Sequence, residues 1–116
     1  MPHMLLIVEP VGQREARGVE DGKVVYQQML DFTEDLRRAG VLMATSSLAT
    51  AATRLQRPQG MPGRVLDGPF AEAKEMIGGF FLLDVAARDD ALGWAARCPA
   101  AAWATVEVRE TGPCFL

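Results

Sequence analysis

The stretch Asp67-Gly68-Pro69-Phe70-Ala71-Glu72-Ala73-Lys74-Glu75 gathers carboxylates and an ammonium around a Gly-Pro step. Pro69 fixes its own φ and drives Gly68 toward an extended conformation, so a turn is expected. At the head of that turn Asp67 has two readings. Its carboxylate can accept backbone N–H bonds as an Asx-turn or helix-cap residue. Alternatively it is a buried carboxylate at the mouth of a cleft, where burial would raise its pKa toward that of a working general base. Phe70 either anchors the turn on the core or forms one wall of a pocket. Glu72, Lys74 and Glu75 offer a second carboxylate and an ammonium close together, as acid–base chemistry or an anionic ligand needs; a solvated surface turn has the same composition. Asp67 is thus the catalytic candidate, and Pro69, Phe70, Glu72, Lys74 and Glu75 are ligand-binding candidates. Arg109 joins them. It shares one strand face with Thr105 and Glu107, and its guanidinium suits a ligand carboxylate, although a wet edge strand explains the same alternation. Met43, Met61 and Met76 either line an adaptable cavity or fill the core.

Several chemistries lack their residues. The chain has a single histidine, His3, and two cysteines far apart, Cys98 and Cys114. That is too few soft ligands for a zinc site. Both thiols are expected free in a reducing cytoplasm, and Cys98 is expected to pack rather than react. No P-loop, G-x-G-x-x-G fingerprint or G-x-S-x-G elbow occurs, so neither a bound nucleotide nor a serine-hydrolase mechanism is indicated and no cofactor is expected. A formal net charge of −3 and a pI near 5.1 count against nucleic-acid binding. The charge is unevenly spread, however. No Asp or Glu lies between Leu36 and Leu66, whereas Arg37, Arg38, Arg54, Arg57 and Arg64 do. Such a stretch is either a solvated loop or a patch that attracts an anionic ligand or an acidic partner. Apolar runs fall far short of the ~20 residues a bilayer requires, and no basic segment precedes Met4–Val8 as in a signal peptide. A cytoplasmic protein without membrane contact is expected.

The elements that position these residues follow from periodicity. At 116 residues and 49% hydrophobic composition, one domain with one core is expected. Residues 3–8 read as a strand apolar on both faces, hence central. Residues 11–21 read as a loop. A helix is predicted over 23–39, with Val25, Met29, Phe32 and Leu36 at helical spacing and Gly40 as its stop. Strands are predicted over 41–48, 77–85 and 103–109, and a second helix over 88–97. Residues 49–76 form a long insertion with a short hairpin at 53–55 and 64–66. Gly78-Gly79 allows close backbone approach or a bulge. The order β-α-β, insertion, β-α-β is the split βαβ pattern of a ferredoxin-like α+β fold. Two helices cover one face of such a sheet. The other face would expose side chains such as Leu5 and Phe81 or their neighbours, so a two-fold homodimer with sheets face to face is expected.

The Asp67–Glu75 stretch followed by Gly78-Gly79-Phe80 resembles the signature of the DGPF-domain branch of the YCII-related family. Met4-Leu5-Leu6-Ile7, Phe32-Thr33-Glu34, Ala39-Gly40-Val41-Leu42, Trp94-Ala95-Ala96-Arg97-Cys98-Pro99 and Val106-Glu107-Val108-Arg109 extend the resemblance over nearly the whole chain. The resemblance implies a dimeric α+β barrel. Some members of the wider family resemble small enzymes, among them a dehydrochlorinase acting on a chlorinated hydroxyquinol, with a His–Asp pair as catalytic in parts of the family. Many DGPF members are encoded beside extracytoplasmic-function sigma factors. Here the only histidine stands at the start of the first strand, where surface placement is expected, so no catalytic role is carried onto His3. Residues 56–63, with two prolines, depart from the usual hairpin. Two functions result. One is binding of a small aromatic or carboxylated molecule beside the turn, with cofactor-free acid–base chemistry in which Asp67 is the base and Glu72, Lys74 or Arg109 orients. The other is a regulatory protein that docks a sigma factor.

Overall fold

The computed structural model describes residues 1–68, 70 and 72–116. The first strand, β1, runs over His3–Pro10 and alternates buried with half-buried side chains along its length. A one-turn helix, α1 (Gln13–Arg17), and a long helix, α2 (Val19–Arg38), follow. Then come β2 (Leu42–Ser47), the hairpin strands β3 (Thr53–Gln56) and β4 (Arg64–Asp67), β5 (Glu75–Leu83), helix α3 (Arg88–Arg97), a 3-10 turn over Pro99–Ala102 and β6 (Thr105–Glu110). The main sheet is antiparallel with order β2-β5-β1-β6, the arrangement of a ferredoxin-like α+β fold. The two strands that are apolar on both faces are the central ones, as their sequences require.

One face of the sheet carries the core. Leu5, Ile7, Phe81 and Leu83 pack under Phe32 and Leu36 of α2 and Ala91 and Ala95 of α3. The Phe32 and Phe81 rings meet edge to face at 5.3 Å between centroids, a geometry that adds to their area burial. Cys98 and Ala100 close the bottom of this layer. Burial pushes the Cys98 thiol above its ordinary pKa, partly offset by the backbone hydrogen bond from Ala100, so Cys98 packs as expected. Among the described residues, no helix covers the opposite face. There the neighbours of Leu5 and Phe81, namely Met4, Leu6, Val8, Phe80 and Leu82, stand half-buried, beside exposed Thr105, Glu107 and Arg109. The whole molecule is accordingly thin, 18 Å along its shortest axis.

The structure corrects the sequence in two places. Residues 11–21 are not a loop: α1 occupies 13–17, and α2 begins at Val19 rather than Lys23. Gly12 and Gly18, with φ of 90° and 84°, make the breaks that a side-chain cap would otherwise make. Glu20 and Asp21 then favour the positive end of the α2 dipole. His3 is not on the surface. It is 3% exposed, and its Nδ1–H donates to the Val85 carbonyl at 2.9 Å; a carbonyl only accepts, which fixes the proton on Nδ1. The short hairpin is where residues 53–55 and 64–66 place it, one residue longer on each arm.

Candidate functional site

The turn residues come to lie on the base of the hairpin. Asp67 is exposed, not buried. Its Oδ1 accepts a 2.6 Å hydrogen bond from Thr53 Oγ1, the residue opposite it in the β3–β4 register. Gly68 N–H donates to Ala52 O at 2.7 Å, continuing the ladder past the strands. Asp67 therefore ties the hairpin base together and is not the buried carboxylate at a cleft mouth that the second reading expects. Pro69 lies outside the described residues. Phe70 is half-buried, with the Arg54 guanidinium carbon 3.8 Å from its ring centroid. A Cβ at Gly68 would come within 3.1 Å of the same ring, so glycine permits this stack. Glu72 and Lys74 are exposed; the backbone carbonyl of Lys74 accepts from Val11 N at 2.9 Å. Glu75 pairs with Pro10 at the far end of β1, whereas Arg109 pairs with Met4 near its start. Six strand positions separate those two rungs, about 20 Å. Within one copy Arg109 cannot orient a group held at the turn. Phe70, Arg54 and Glu75 do meet, with Val8, Ala52 and Ile77, around a cleft of about 830 Å³. Met76 lines this cleft, while Met43 and Met61 are exposed. The arginine-rich stretch does not gather in one place. Arg37 and Arg38 pair with Glu34 and Asp35 on α2, and the length of β2 separates them from the hairpin arginines.

A second cleft has the more constrained chemistry. Strand parity carries the inner-face series Leu5, Ile7 one step further to Glu9, which is 2% exposed. Burying a lone carboxylate costs several kcal/mol or more, so a partner is required. Arg14 supplies it: Nε donates to Glu9 Oε1 at 2.6 Å. Its other nitrogens donate to Leu48 O at 2.7 Å and Gly78 O at 3.3 Å. Gly78 is the extra residue of a bulge, since Ile7 pairs with Gly79 and Val8 with Ile77. A Cβ there would collide with Glu9 Oε2, and would lie 2.7 Å from Glu9 Cδ and 2.8 Å from Arg14 Nη2. The Gly78-Gly79 pair thus makes both the bulge and the close approach its sequence allows. Gly79 is close-packed to a lesser degree, with Ser46 O 3.0 Å from the position of a Cβ.

The Glu9–Arg14 pair lines a cleft of about 820 Å³ between α2 and the sheet. Ile7 and Phe81 belong to its sheet side, and Val25, Tyr26, Met29 and Leu30 to its helix side. Thr45 and Ser47 add hydroxyls from β2. At one end Trp103 has the Arg17 guanidinium carbon 4.7 Å from its ring centroid. Its indole Nε1–H is buried without a hydrogen-bond partner among the described residues, and its carbonyl accepts from Gln13 Nε2 at 2.7 Å. The lining is thus an apolar slot holding one buried acid, two guanidiniums and one unsatisfied donor. That combination suits a ligand with an apolar body and a head that both donates and accepts. Sequence reasoning missed Glu9, Arg14 and Trp103. The signal available was Glu9 on the inner parity of a buried strand, together with a glycine pair on the strand beside it.

Among the described residues no group of His, Cys, Asp and Glu is arranged to hold a metal ion. No helix is long and apolar enough to cross a membrane. Comparison with known proteins finds an uncharacterized protein of Rhizobium meliloti (strain 1021), 50% identical over 46 residues; these are 40% of this chain and 36% of that relative. The matched segment thus spans little more than a third of the relative's length. The model of the YCII-related domain matches residues 1–113. With that coverage, and with the sheet order and helices described above, the chain belongs to the YCII-related family.

Proposed function

We propose that the protein binds a small, largely apolar molecule, aromatic and carrying a hydroxyl or carboxyl head, in the cleft between α2 and the sheet. The observation that carries this reading is the buried Glu9 carboxylate held by half-buried Arg14 at a glycine bulge, opening on an apolar cleft of about 820 Å³. Such a buried ionic group is seldom the cheapest way to stabilise a core. At a cleft it has a second use. Glu9 Oε1 is taken by Arg14, which leaves Oε2 for a ligand donor, and Trp103 Nε1–H, buried and unpaired among the described residues, would gain an acceptor if its ring turned toward the cleft. If the bound molecule is turned over without a cofactor, Glu9 is the acid–base group within reach. The cleft beside the Gly68–Phe70 turn is the second reading, favoured by the Arg54–Phe70 stack and the nearby Glu75. A second copy of the chain packed on the helix-free sheet face would cover Met4, Leu6, Val8, Phe80 and Leu82.

Native mass spectrometry of protein isolated gently from its own host tests this. A small adduct that is lost from Leu30→Trp, which fills the helix side of the cleft, and from Glu9→Gln, but kept by Asp67→Asn, is expected. An adduct lost only from Asp67→Asn would move the site to the hairpin. A complex with a larger protein and no small adduct would replace the binding reading with a regulatory one, docking a transcription factor such as a sigma factor.

A further inference from the structure

The β3–β4 hairpin is built for contacts its own chain does not supply. All eight of its strand residues are exposed, and it pairs with no strand of the main sheet. A two-stranded hairpin alone in water is marginal at best. The directly opposed Leu55 and Val65 share one face and are 61% and 66% exposed. The other face carries Arg54, which turns back onto Phe70. The hairpin also swells the molecule. The radius of gyration is 16.2 Å, against about 13 Å for a compact chain of this length.

The cleft beside Phe70 lies where this arm meets the helix-free face. Its walls combine Phe70, Ala52 and Arg54 of the hairpin base with Val8, Ile77 and Glu75. Val8 and Pro10 have the outer parity of β1, and their partners Ile77 and Glu75 share that face. One copy therefore builds the cleft only from below and from one side. Charge points the same way. The arm carries Arg54, Arg57 and Arg64 with no acid before Asp67, while the helix-free face carries exposed Glu75 and Glu107, with Arg109 as a cation at its other end, beside its apolar centre.

We propose that each hairpin reaches across the sheet-to-sheet contact and lays Leu55 and Val65 on a second copy of the chain. The cleft beside Phe70 is then closed by two chains, and neither copy forms it alone. Arg57 and Arg64 of the arm meet Glu75 and Glu107 of the other copy's sheet. This inference rests on the face-to-face pairing proposed above, and the experiment separates the two. Sedimentation equilibrium would be measured for the wild type, for Leu55→Ser/Val65→Ser and for Leu6→Glu at the centre of the face. A dimer weakened at least tenfold by the arm substitutions, and more by Leu6→Glu, is expected. Loss of the dimer in Leu6→Glu with an unchanged constant in the arm variant overturns the arm contact and leaves the pairing intact. A monomeric wild type overturns both. Hydrogen exchange on the wild type gives an answer independent of any variant's folding. Amides of residues 53–67 should gain at least tenfold protection above the dimerisation concentration. Equal protection at all concentrations means that the arm rests on its own chain, and refutes the proposal.

Discussion

Gly78→Ala isolates the Glu9–Arg14 pair with one methyl group. The added carbon would overlap Glu9 Oε2 and sit 2.7 Å from Glu9 Cδ and 2.8 Å from Arg14 Nη2. Neither neighbour is a loose end. Glu9 is buried, and Arg14 is held by three hydrogen bonds to Glu9, Leu48 and Gly78. Breaking such a pair costs about 3–5 kcal/mol. Exchanging glycine for alanine returns about 0.5–1 kcal/mol through the unfolded chain, since the φ of Gly78 is not positive. The net loss should be about 2–4 kcal/mol. With an unfolding entropy of about 0.24 kcal/mol/K for a chain of this length, Tm should fall by about 8–17 °C. Urea unfolding of Gly78→Ala, Glu9→Ala and the double variant measures it. In the double variant the Glu9 carboxylate is gone and Arg14, released from it, can swing aside, so the alanine should add less than about 1 kcal/mol. The reasoning fails if Gly78→Ala costs under about 1 kcal/mol, or if its cost is the same with and without Glu9.

Three further outcomes are expected. Asp67→Asn keeps a hydrogen-bond acceptor for Thr53 at an exposed site, so stability should change by less than about 1 kcal/mol in urea; a larger loss would give Asp67 a structural weight its exposure does not explain. Phe32→Ala removes a buried ring in contact with Phe81 and Trp94 and should lose about 3–5 kcal/mol, read as a shift in the urea midpoint. Cys114 is exposed and Cys98 buried, so a thiol reagent should label one site at once and the second only on unfolding. Because burial raises the Cys98 pKa, the thiol contributes stability below its unfolded pKa, and this is lost as pH rises through the folded value; Cys98→Ala should flatten that alkaline fall in Tm.

Much of the frame was legible because it depends on local alternation. In β1 and β5 both parities are apolar, which demands central strands, and the second helix predicted over 88–97 is α3 at its observed limits, although its buried face is Ala91 and Ala95. The starts of α1 and α2 were not, because Gly12 and Gly18 act through positive φ and not through a capping side chain. Polar residues on an apolar strand were the main difficulty. His3 and Glu9 share the parity of Leu5 and Ile7, but whether that end of the face is covered depends on where the helices lie and what Arg14 does. The pair that defines the cleft draws on Glu9, Arg14, Leu48 and Gly78, which no window of sequence contains. The acidic turn was conspicuous in sequence because its residues are adjacent, and adjacency on an exposed hairpin base is not convergence.

The three bonds of Arg14 also have a kinetic meaning. They join positions 5, 34 and 64 residues away along the chain, at the ends of β1 and β2 and the start of β5. The two longer contacts reward the chain only after the loops between them have closed. Arg14 therefore acts as a clasp that shuts after the sheet has assembled, and its interactions should be absent from the folding transition state. Weakening the clasp should leave the folding rate nearly unchanged and accelerate unfolding. The guanidinium that shapes the cleft is then also the part that sets how long the native sheet stays closed around it.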